Sequence, residues 1–161
     1  MGFVAKRELG RIPLLAFWMR ATGCVFIDRS DRFGARKALE DTARRMGKRP
    51  LVVFPEGTRS KTGKRLPLKT GGLRMALMAG ARIIPVHINN SRAAYEAFDP
   101  TGPIPLPVDL RFFPALDTRG MPDEKASWNA MKAYVEKCWD EAEADLDARG
   151  ILTVNRKDGG R

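Results

Sequence analysis

The 161-residue chain is long enough for one domain with its own core, and 43% apolar against 30% charged residues is the balance of a folded protein rather than a disordered one. Lys and Arg number 29 against 19 acidic residues, a net charge of +10, so the preferred neighbours are anionic: phospholipid surface, phosphorylated substrate, acyl carrier or nucleic acid. Two distant cysteines, Cys24 and Cys138, without CxxC or metal-ligand spacing, argue against a disulfide scaffold or zinc site and suit a reducing cytosolic setting.

The longest apolar run, Ile12 to Met19, is closed by Arg20 and falls short of the roughly 20 residues a spanning helix needs. No secretory signal pattern follows the basic start, and Lys6 stands where a myristoylation signal wants Ser or Thr. A helix is predicted from Pro13, a favourable first-turn residue, to about Thr22. Its Leu14, Leu15, Phe17, Trp18 and Met19 stand beside Arg11 and Arg20, a pattern that suits either interfacial membrane contact or simple core packing. Cys24 to Ile27 reads as a short buried strand running into the polar loop Asp28-Arg29-Ser30-Asp31.

The next helix is expected over about 34–46, with Ala35, Ala38, Leu39, Thr42 and Met46 on one face and Gly47 as its stop. Leu51 to Phe54 is a continuous apolar strand of the kind buried in a parallel sheet, ended by Pro55. A cation-bearing loop over 56–70 precedes a helix over 72–79, then an apolar strand over 82–88 and another over 108–113. The four prolines between Asp99 and Pro107 predict a rigid loop. Trp128, Met131, Val135, Cys138, Ala142 and Leu146 share one stripe of a final helix that Gly150 terminates. Residues 1–154 are therefore read as a single α/β domain, with a mainly parallel central sheet flanked by helices, and residues 155–161 as a frayed tail.

Ligands of such sheets sit at the carboxyl ends of strands, and two of these strands end in unusual polar loops, Asp28-Arg29 and Glu56 to Ser60. In Phe54-Pro-Glu-Gly-Thr-Arg-Ser60, Pro55 fixes the exit from the strand and Gly57 turns the chain, leaving backbone N–H groups open to approach. Arg59 offers a planar fork suited to phosphate oxygens, with the hydroxyls of Thr58 and Ser60 beside it. Glu56 either accepts from a glycerol-like hydroxyl or holds Arg59 in place. On the residues alone, the loop is either an anion site or a structural turn.

Phe54 to Ser60 resembles the FPEGTRS signature of the glycerolipid acyltransferases, in particular those acting on 1-acylglycerol-3-phosphate (lysophosphatidic acid). Gly23-Cys-Val-Phe-Ile-Asp-Arg29 resembles the upstream GxxFIDR block of that family, Phe3 to Leu9 the segment before it, and Ile84-Pro-Val-His-Ile88 the downstream apolar block. The four pieces stand in the family's order. The resemblance implies a glycerolipid acyltransferase-like fold and transfer of an acyl group from acyl-CoA or acyl-acyl carrier protein to lysophosphatidic acid, giving phosphatidic acid in phospholipid biosynthesis without metal or cofactor. It implies that Arg29 holds the acceptor phosphate, that Glu56, Gly57, Thr58 and Arg59 bind glycerol phosphate, and that Lys6 adds charge to the same cavity. Arg29 and Lys6 have the plain alternative of solvated surface cations, and Lys69 is either turned to the ligand from the start of its helix or surface charge.

The resemblance breaks at the family's His-x-x-x-x-Asp block, whose His serves as general base and whose Asp orients it. That block normally stands before the Phe-Val-Ala-Lys segment and is absent here, so no catalytic residue is assigned. The only histidine, His87, lies in an apolar strand with no Asp five residues on, and packing is its expected role. An amino-terminally truncated acyltransferase with impaired turnover is the favoured expectation, beside an isolated fragment or a chain that binds without catalysing. The resemblance implies peripheral attachment to the cytoplasmic face of an anionic membrane, or a cytoplasmic chain if the anchor lay in the missing part. The alternative is a non-catalytic basic module for anionic lipid or nucleic acid. Nucleic acid is not the expected partner, since no reader motif is present.

Overall fold

A computed structural model describes residues 1–27, 32–46, 49–60, 64–91, 98–99, 102–103 and 107–150. The amino-terminal half is built on a parallel sheet of three strands in the order β2-β1-β3, where β1 is Gly2–Lys6, β2 Val25–Ile27 and β3 Leu51–Val52. Its register pairs Val4 with Val25, Lys6 with Ile27 and Phe3 with Val52. Parallel strands need crossovers, and helices supply them: a short 3-10 turn with α1 (Pro13–Ala21) between β1 and β2, and α2 (Arg32–Met46) between β2 and β3.

The exit from α1 aims β2. The Gly23 N–H bonds to the Arg20 carbonyl at 3.0 Å and the Cys24 N–H to the Met19 carbonyl at 2.8 Å, the paired bonds of a Schellman cap. Gly23 takes φ +81°, which an L side chain rarely adopts. In α2, Thr42 is buried and its hydroxyl donates to the Ala38 carbonyl at 2.6 Å, while Ala43 is buried beside it. The side chains of Ala35, Leu39 and Met46, and the expected stop at Gly47, lie outside the described residues.

After β3 the chain loops to α3 (Gly71–Met78), and from there the sheet geometry changes. The single strand expected over 82–88 is two, β4 (Arg82–Ile83) and β5 (Val86–Asn89), divided at Ile84-Pro85 because proline has no N–H for a ladder. Each half finds its own antiparallel partner: β8 (Asp109–Phe112) beside β5, and β9 (Leu116–Asp117) beside β4. At the proline-rich segment, read as a rigid loop, β6 (Phe98–Asp99) and β7 (Gly102–Pro103) pair antiparallel.

The 24-residue helix α4 (Lys125–Ala148) covers this half. Met131, Val135, Cys138, Ala142 and Leu146 are buried along its predicted stripe, and Trp139 joins them, its indole N–H bonded to the Val86 carbonyl at 3.1 Å. Leu68, Leu73 and Leu77 from the loop and α3 meet Met131, Val135 and Trp139 in one cluster. Arg74 lies 4.0 Å over the Trp128 ring and pairs with Asp123, which fastens α3 to the start of α4. The tail 155–161 lies outside the described residues.

Helix α1 goes the other way from its core alternative. Of its nine residues only Ala16 is buried, while Leu14, Phe17 and Trp18 are 72%, 63% and 61% exposed.

Candidate functional site

Because the three parallel strands run in one direction, Lys6, Ile27 and Val52 end at the same edge, and whatever follows them shares one surface. Lys6 closes β1 and is exposed there. Lys6 and Pro55 stand equally far in sequence beyond the paired rung Phe3–Val52, so β1 and the chain after β3 both leave the sheet at its carboxyl end. Arg29, which follows Ile27 closely in sequence, lies outside the described residues, as do Asp28, Ser30 and Asp31.

The loop itself opens with a tight turn. Pro55 presets its backbone, and the Gly57 N–H closes it on the Phe54 carbonyl at 3.0 Å. That N–H, expected to be open to a ligand, is therefore committed inside the loop. Gly57 then takes φ +73°, a conformation glycine adopts without the steric cost of a Cβ.

Glu56 makes a contact that the sequence reading did not include. One carboxylate oxygen, Oε2, accepts the backbone N–H of Leu66 at 2.8 Å, across ten positions of sequence. A second clasp runs from the Lys69 N–H to the Pro55 carbonyl at 2.8 Å. Leu68, between them, is sunk into the core with Leu73, Leu77 and Met131, a burial that contributes about 2 kcal/mol. The two clasps and the buried leucine fold the far end of the loop back on its beginning. Thr58 and Arg59 ride on that frame with exposed side chains, and Ser60 is half-buried.

His87 lies in the other half of the molecule's ladder system, on β5 opposite Arg111 of β8. Its side chain is half-buried, with Nε2 3.9 Å from a carboxylate oxygen of Glu143 on α4 and no hydrogen-bond partner for the buried Nδ1 among the described residues. Burial pushes its pKa below the ordinary histidine value; Glu143 pulls it back up, and Arg65 and Arg111 add to the depression. At neutral pH the ring is uncharged and packed. Among the described residues no group of His, Cys, Asp and Glu side chains is arranged to hold a metal ion.

A separate basic feature lies at the foot of α1. Arg7, Arg11 and Arg20 line a shallow cleft with Gly10 and Phe26, and the Arg20 guanidinium sits 5.6 Å over the Phe26 ring. Arg20 belongs to the same helix as the exposed Leu14, Phe17 and Trp18. No described helix is long and apolar enough to cross a membrane.

A parallel sheet with helical crossovers, carrying a clasped Pro-Glu-Gly-Thr-Arg loop at its carboxyl end, defines a single α/β domain. The Acyltransferase family model matches residues 1–89, the parallel half with α3, β4 and β5, and the chain belongs to that family. It is similar to a 1-acyl-sn-glycerol-3-phosphate acyltransferase of Cocos nucifera, 32% identical over 124 residues, covering 76% of this chain and 40% of the relative. A protein of the same name from Helicobacter pylori is 40% identical over 91 residues, covering 55% of this chain and 38% of its own. Among solved structures, the 1-acyl-sn-glycerophosphate (LPA) acyltransferase PlsC from Thermotoga maritima matches with a TM-score of 0.65 and 28% identity, over 91% of this chain and 57% of that one. The chain thus spans about two fifths of the length of these two curated relatives.

Proposed function

We propose that this chain serves acyl transfer to 1-acylglycerol-3-phosphate, yielding phosphatidic acid, and that its own part is capture of the acceptor's phosphate. The observation that carries the reading is the clasped Glu56–Arg59 loop, which leaves the parallel sheet at the carboxyl end where β1 closes on Lys6. A phosphate monoester met there gains the Arg59 fork and the Lys6 point charge, a pairing of geometric and purely electrostatic recognition. The names of the relatives support the acceptor, and the donor is read as a thioester, acyl-CoA or acyl-acyl carrier protein.

In the reaction, the free hydroxyl of the glycerol attacks the thioester carbonyl. The new C–O bond forms as the C–S bond breaks, and the thiol leaves with the hydroxyl proton. A general base must hold that proton in passage. The one histidine of this sequence, His87, is packed against α4, and the part of the reaction assigned to the described residues is binding of the acceptor.

Such a substrate lives in a bilayer, and the same reading makes the chain a peripheral protein of the cytoplasmic membrane face. Support comes from the exposed Leu14, Phe17 and Trp18 beside the Arg7, Arg11 and Arg20 cleft, an apolar ridge rimmed with cations, and from the free thiols of Cys24 and Cys138, which suit a reducing compartment.

The test pairs binding of 1-acylglycerol-3-phosphate with thiol release in the presence of acyl-CoA or acyl-acyl carrier protein, for the chain and for Arg59→Ala. Binding weakened at least about tenfold by Arg59→Ala supports the reading. Binding to nucleic acid alone, with a steep salt slope, overturns it in favour of a basic module.

A further inference from the structure

Lys69 is held where the loop turns. Its backbone N–H is bonded to the Pro55 carbonyl at 2.8 Å, and its neighbour Leu68 is buried. On its other side α3 is wedged against the strand end, since a Cβ added at Gly72 would lie 2.6 Å from Cγ1 of Val53. The backbone of Lys69 is therefore fixed from both directions.

From that anchor the side chain lies across Gly57. A Cβ at Gly57 would stand 3.1 Å from both Cδ and Nζ of Lys69 and 3.3 Å from Cε, so the aliphatic stem and the ammonium fill the space that any other residue at 57 would need. The glycine answers two demands at once, a positive φ and room for this lysine.

The charge is left for a ligand. Lys69 is exposed and makes no ion pair among the described residues. The nearest acid in sequence, Glu56, spends one oxygen on the Leu66 N–H. A cation lying over a backbone turn that also presents Thr58 and Arg59 is a site for phosphate oxygens.

We propose that Lys69 is a substrate-contacting residue of this site: its ammonium, laid over Gly57, binds the phosphate that the Glu56–Arg59 loop receives. The inference rests on the reading of that loop as the phosphate site. A lysine here acts as a point charge that tolerates small displacements of the ligand, complementing the rigid fork of Arg59.

The full chain and its Lys69→Gln, Lys69→Met and Lys69→Arg variants would be titrated with 1-acylglycerol-3-phosphate and with the phosphate-free monoacylglycerol, in neutral detergent micelles at two salt concentrations. Lys69→Gln and Lys69→Met are expected to weaken the phosphate-bearing ligand about tenfold, with a shallower salt dependence, and to leave the phosphate-free lipid unchanged. Lys69→Arg should restore most of the loss. Thermal unfolding of each variant separates a lost contact from a lost fold, and Met keeps the stem packing should Gln disturb it. Unchanged phosphate affinity in both neutral variants, with Arg59→Ala still losing it, overturns the role of Lys69 and leaves the loop reading standing. A wild-type chain that binds both lipids equally overturns both.

Discussion

Replacing Gly72 by alanine sets two effects of similar size against each other. Gly72 is the second residue of α3, and alanine in a helix is favoured over glycine by about 0.5–1 kcal/mol, less in a first turn. The new Cβ would lie 2.6 Å from Val53 Cγ1, about 1 Å inside an ordinary carbon–carbon contact of roughly 3.5–4.0 Å. Relieving such overlap costs about 1–3 kcal/mol, so Gly72→Ala is expected to destabilise by about 0.5–2 kcal/mol. Val53→Ala removes the offending methyl and, at a half-buried position, costs about 1 kcal/mol alone. In the double variant the alanine Cβ moves into the vacated space, and the two changes should couple favourably by about 1 kcal/mol or more. Urea unfolding of the four proteins measures each term. A Gly72→Ala chain more stable than wild type, or strictly additive losses, would refute the wedge and with it the claim that α3 fixes the backbone of Lys69.

Two further outcomes follow from exposure and from burial. Phe17→Ser with Trp18→Ser should abolish sedimentation with vesicles containing anionic phospholipid while leaving the unfolding free energy within about 0.5 kcal/mol of wild type, because neither side chain is in the core; retained sedimentation would remove α1 from the membrane contact. His87 is half-buried with a depressed pKa, so the folded state resists protonation more than the unfolded one. Stability from the neutral ring is complete above the unfolded value of about 6.5 and is lost as pH falls through the lower folded value. Urea midpoints followed from pH 8 to pH 5 should drop more steeply for wild type than for His87→Gln, and parallel curves would dismiss the effect.

What the sequence discloses follows the range of the interaction. The stripe Met131-Val135-Cys138-Ala142-Leu146 is a local, periodic signal and proves buried as read, whereas Trp139 sits off its centre line and is recruited by a carbonyl on β5. The parallel strands and the polar loop after β3 are legible because Pro55 and Gly57 punctuate the chain. The division at Pro85 is legible in principle from the missing N–H, but the two antiparallel partners that exploit it depend on residues more than twenty positions away. For α1 the apolar pattern is plain and its destination is not, because amphipathicity says that a face seeks cover without saying what covers it. Arg29, the cation the resemblance would place beside Lys6, lies outside the described residues.

Glu56 shows what geometry adds to the resemblance. The resemblance gives the carboxylate to the glycerol phosphate, where it can accept from a hydroxyl but would repel the phosphate itself. Turned back on the Leu66 N–H through Oε2, the same carboxylate also ties the end of the loop to its outset. A charged acceptor makes that hydrogen bond stronger than a neutral one would. The tie also brings the chain round so that Leu68 reaches the core and Lys69 reaches Gly57. The acid in the motif is thus reconciled with the cations around it by direction, its charge aimed into the loop's own backbone while Arg59 stays exposed and Lys69 lies across the turn.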